Sequence, residues 1–63
     1  MQLTINQLLE KFDGLKVDQM TVELGQKRQR LIDYKKQGGA KGGLIRIENS
    51  DSIIREIEKA KRS

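Results

Sequence analysis

Apolar residues fall along this chain in short clusters set off by polar and glycine-rich stretches. In the first cluster Ile5, Leu8, Leu9 and Phe12 stand at i, i+3, i+4 and i+7, one stripe of an α-helix. Thr4 and Gln7 have the spacing of a capping box: the Thr hydroxyl accepts from the third helical amide, and the Gln side chain reaches back to the cap. The pattern predicts a helix over residues 5–12, closed by a turn at Asp13-Gly14, where Gly14 can take positive φ. Between Lys16 and Leu24 the period changes. Met20, Val22 and Leu24 alternate with Thr21 and Glu23, which predicts a half-buried strand ending at Gly25.

Residues 26–37 fit two readings. Their Gln, Lys, Arg and Leu content suits a helix, with Leu31 and Tyr34 on one face and Gly38 as C-cap. The alternative is a strand from Arg30 to Tyr34 returning from a turn at Gly25–Arg28, with Ile32 and Tyr34 facing inward. The strand is preferred, because so polar a helix buries little. Gly38-Gly39-Ala40-Lys41-Gly42-Gly43 reads as a flexible connector. Leu44–Glu48 alternates again, with Ile45 and Ile47 on one side, and predicts a strand. Asn49, Ser50 and Asp51 offer N-caps for a last helix from about Ser52 to Arg62. Ile53, Ile54, Ile57 and Ala60 form its seam, Glu58 and Arg62 an i, i+4 pair, and its charges run from acidic to basic as the helix dipole favours.

These elements predict one α+β domain over residues 1–63: an N-terminal helix, a small antiparallel sheet from the middle of the chain and a C-terminal helix. Leu8, Leu9, Phe12, Met20, Val22, Leu24, Ile45, Ile47, Ile54 and Ile57 are the expected core and subunit interface.

Size then bears on the picture. A chain of 63 residues without cysteine has no disulfide or thiolate metal site to brace it. Single cores of this length rarely supply more than about 3–5 kcal/mol. Completion of the core against further copies of the chain is therefore expected. The C-terminal seam, about one and a half heptads long, is too short for a free-standing coiled coil but serves within a larger interface. The opening MQLTINQLLEKF lacks a basic leader and an apolar run, so Met1 is expected to be the native start. No stretch is apolar for long enough to span a bilayer. A cytoplasmic protein with no membrane partner is expected.

Charge is one-sided. Lys11 and Lys16 stand against Glu10, Asp13, Asp18 and Glu23 in residues 1–25, a net of −2. Lys27, Arg28, Arg30, Lys35, Lys36, Lys41 and Arg46 stand against Asp33 in residues 26–46, a net of +6. The remaining residues balance, for +4 overall. The block suits phosphates, which makes Lys27, Arg28, Arg30, Lys35, Lys36 and Lys41 candidate nucleic-acid contacts. It suits better a solvated face that keeps an oligomer soluble, or one that pairs with the acidic N-terminal third of a neighbour, and with Tyr34 its one aromatic it is a poor base-stacking platform. A ribbon-helix-helix fails on order, since the strand at Leu44–Glu48 precedes a single helix. Gly38–Gly43 has the glycine spacing of a phosphate loop, but Leu44-Ile45 follow where Lys-Ser/Thr is required. The acids are explained as caps and exposed faces, and without histidine the commonest general base is missing. No catalytic residue, metal ligand, cofactor or small-molecule substrate is expected, and the chain reads as non-enzymatic.

Three stretches together, MQLTINQLLEKFDG, RQRLIDYKKQGGAKGG and LIRIENSDSIIREIEKAKRS, resemble the YonK family of short proteins from SPβ-type Bacillus prophages. The likeness spans the whole chain and contains no catalytic signature. It implies a mixed α/β subunit, a higher-order homo-oligomer such as an octamer of stacked tetramers, and expression from phage genes in a bacterial cytoplasm. It carries over no functional residue.

Overall fold

A computed structural model describes residues 2–62; Met1, expected to be the native start, lies outside that range. The order is β1 (Leu3–Thr4), α1 (Ile5–Phe12), a 3₁₀ turn (Val17–Gln19), α2 (Val22–Gln37), a 3₁₀ segment (Gly39–Leu44), β2 (Arg46–Ile47) and α3 (Ser50–Arg62). The class is α+β, as expected, with a small antiparallel sheet and helices near both ends. The sheet is assembled differently, however. Leu3 pairs with Ile47 and Thr4 with Arg46, so only one strand comes from beyond the middle of the chain and the other precedes α1.

The first helix forms as its stripe and cap dictate. Thr4 Oγ1 accepts from the Gln7 amide at 3.2 Å and Gln7 Oε1 from the Thr4 amide at 2.9 Å. Ile5, Leu8 and Phe12 are buried and Leu9 is partly so. Asp13 and Gly14 turn as predicted, without positive φ at Gly14.

The second and third segments differ from the expectation. No strand runs from Lys16 to Leu24 or from Arg30 to Tyr34; a 3₁₀ turn leads into a helix of 16 residues. Thr21 is the reason. Its Oγ1 accepts from the Leu24 amide at 3.1 Å, so Met20 lies before a helix start while Val22 and Leu24 lie inside it. The apparent alternation straddles that boundary. Gly25 does not end anything: it sits in the first turns of α2. Leu24 and Leu31, seven residues apart, are the buried pair that anchors this polar helix. Gly38 is its C-cap.

The Gly38–Gly43 stretch is packed rather than loose. A Cβ on Gly42 would stand 2.0 Å from the Lys35 carbonyl oxygen, and one on Gly43 2.4 Å from the Asn6 side chain. Only hydrogen fits at either position, and the close approach pins the 3₁₀ segment to α1 and the end of α2. Gly39 takes φ +62°, which glycine adopts without cost. The strand expected over Leu44–Glu48 shortens to Arg46–Ile47, and the Ile5 amide donates to the Ile45 carbonyl at 2.9 Å just outside the ladder. The last helix begins at Ser50, two residues early, after Asn49 at φ +62°.

The core consists of Ile5, Leu8, Phe12, Leu15, Leu24, Leu31, Ile53 and Ile57. Of the residues expected there, Leu8, Phe12, Leu24 and Ile57 are buried, while Leu9, Met20, Ile47 and Ile54 pack against it from the edge. Val22, 79% exposed, and Ile45, 42% exposed, lie outside it, because the strands assigned to them do not form as expected. Helix α1 packs on both α2 and α3.

Candidate functional site

A groove of about 550 Å³ lies between α2 on one side and β2 with α3 on the other. From α2 it is lined by Lys27, Arg30, Leu31 and Tyr34, spaced i, i+3, i+4 and i+7 and so forming one stripe. The opposite wall consists of Ile47, Glu48 and Asn49 from β2 and the turn after it, with Ser52 and Ile53 from α3. Leu31 and Ile53 are buried at the base and Ile47 is partly buried, whereas Tyr34 stands half exposed. A Cβ on Gly38 would meet Ile45 Cδ1 at 3.1 Å, so the half-exposed Ile45 lies against the C-terminal end of α2.

A second hollow, about 310 Å³, lies between the start of α2 and the end of α3, lined by Thr21, Glu23, Leu24, Glu56, Lys59 and Ala60 with Gln19. Lys27 of the first and Glu56 of the second are joined by an ion pair, Nζ to Oε2 at 2.7 Å, which links α2 to α3. Both side chains are over a third exposed, so the pair holds orientation more than it adds stability.

The basic block is divided by the helix that carries it. Arg28 and Lys35 are seven residues apart and share one side of α2, while Arg30 and Lys36 lie about 120° apart around the axis. Lys27 is committed to Glu56, and Lys41 belongs to the 3₁₀ segment. Arg28, Arg30, Lys35, Lys36 and Lys41 are exposed and meet no carboxylate among the described residues. Arg46 donates to the Gln2 carbonyl at 3.2 Å, which assigns it to the β1–β2 junction.

Among the described residues no three Asp or Glu side chains converge as a metal site would require, and no helix is long and apolar enough to cross a membrane. Reasoning from sequence missed the groove, because it depends on α2 being a helix. The i, i+3, i+4, i+7 spacing of Lys27, Arg30, Leu31 and Tyr34 was the available signal, masked by its two cations. No protein-family model, curated protein or solved structure matches this chain.

Proposed function

We propose that the chain is a non-enzymatic accessory or scaffold subunit that acts through protein contacts as a homo-oligomer. The role is that of a short phage-encoded protein in a bacterial cytoplasm, as the likeness to the YonK family implies. One observation carries the reading: Val17, Val22, Tyr34, Leu44 and Ile45 are each at least two-fifths exposed, against eight buried apolar side chains among the described residues. That ratio suits a subunit with further surface to cover. Light scattering at micromolar concentration is expected to return a mass several times the 7.2 kDa of the chain. A monodisperse monomer would overturn the reading.

A second reading, nucleic-acid binding, is favoured by the five exposed and uncommitted cations of α2 and the 3₁₀ segment. Were all five to meet duplex phosphates, log K would fall against log salt with a slope of about −4.5. Replacing Arg28, Lys35 and Lys36 with Glu leaves the Lys27–Glu56 pair intact and is expected to abolish such binding. The absence of a duplex mobility shift at low salt removes this alternative.

A further inference from the structure

We infer that the groove between α2 and α3 is where one copy of this chain docks on another, across a two-fold axis that sets Arg30 of each copy against Glu48 of its mate. The inference rests on the self-association proposed above and names the surface that performs it. The groove has the two parts of a protein interface, an apolar centre (Leu31, Ile47, Ile53 and the half-exposed ring of Tyr34) and a charged rim. Its rim charges differ in sign from wall to wall. Lys27 is neutralised by Glu56, which leaves Arg30 on the α2 wall and Glu48 on the wall opposite, neither paired among the described residues.

That polarity selects the occupant. A duplex or an acidic segment gains at Arg30 and is repelled at Glu48, and a basic segment meets the reverse. A second copy turned by a two-fold presents its acidic wall to the basic one and its basic wall to the acidic one, so both contacts are favourable. Area adds a requirement. A standard interface takes roughly 800 Å² from each partner, about one-sixth of the 4719 Å² surface of the subunit. The nine groove residues are too few for that, so a docked copy must also cover apolar surface outside the groove, for which the exposed Ile45 and Leu44 are available.

The test is a charge swap in the full chain, read by sedimentation equilibrium, with circular dichroism as a check on folding. Arg30→Glu and Glu48→Arg alone are each expected to weaken association by about tenfold, because like charges then face each other at both symmetric contacts. Mixing the two single variants, or combining R30E with E48R in one chain, is expected to restore it. If the parent chain associates but neither single variant weakens it, the groove is not the contact, although self-association stands. If the parent remains a monomer at 100 micromolar, the underlying reading fails and this one with it. A duplex shift lost in Arg30→Glu and strengthened in Glu48→Arg, with subunit mass unchanged, would overturn the inference in favour of nucleic acid.

Discussion

Ser50 is fully buried, and its hydroxyl is used twice. Its oxygen accepts from the Leu3 amide at 2.9 Å, and its proton is donated to the Ile47 carbonyl. The side chain thus fastens the strand before α1 to the turn that opens α3. Serine offers one donor and two acceptor sites in the space of a methyl group, which is what this junction requires. Ser50→Ala removes both contacts and leaves two backbone groups to be satisfied elsewhere. The expected cost is about 1–3 kcal/mol, read as a lower urea midpoint with an unchanged slope. Asn49 beside it holds φ +62°, a conformation that asparagine tolerates better than most residues, and so lets the chain reverse into α3.

Glycine makes the same argument for whole elements, in opposite directions. Gly25 lies inside α2 with nothing within 4 Å of where a Cβ would stand, so Gly25→Ala is expected to raise stability by about 0.4–1 kcal/mol. Gly42→Ala places a methyl group against the Lys35 carbonyl and is expected to detach the 3₁₀ segment, with a large fall in melting temperature. Thermal melts of the two variants side by side test both. These positions also show which parts of the fold could be read from the sequence. Helix α1 was legible because its stripe and its capping box agree, and α3 because its seam and charge order agree. Helix α2 was not: only Leu24 and Leu31 are buried, so its hydrophobic period is almost silent, and its cap at Thr21 was overlaid by a chance alternation of Met20, Val22 and Leu24. The glycine stretch looked loose because composition reports freedom in the unfolded chain, whereas its close contacts, Gly42 on Lys35 and Gly43 on the distant Asn6, exist only once α2 and α1 are in place. The groove, built by α2, was hidden with it.

At the scale of the molecule, the subunit is elongated, 34 × 22 × 17 Å, and one short helix packs against two longer ones. Such a shape has much surface for its volume and a thin core. Its stability should therefore depend on neighbours. The melting temperature is expected to climb as protein concentration rises, in step with the mass seen by light scattering, because assembly draws on the folded form alone. Parallel melts at two concentrations a hundredfold apart check this, and coincident curves would speak for a self-sufficient monomer. Ile57 belongs to the subunit interior, so an acidic residue there reports on folding; Arg30 and Glu48 are the positions that report on assembly.

The clasp at Ser50 also imposes an order of events on a nascent chain. Leu3 waits for a partner 47 residues downstream, and Ile5 for one at Ile45. No growing chain released before the final third has left the ribosome can close β1 onto β2, so β1 emerges first and pairs only after α2 is made. Contacts of such long sequence separation slow folding, since loop closure comes before any gain from them. A translation product truncated before Arg46 is accordingly expected to remain sensitive to protease along its whole length.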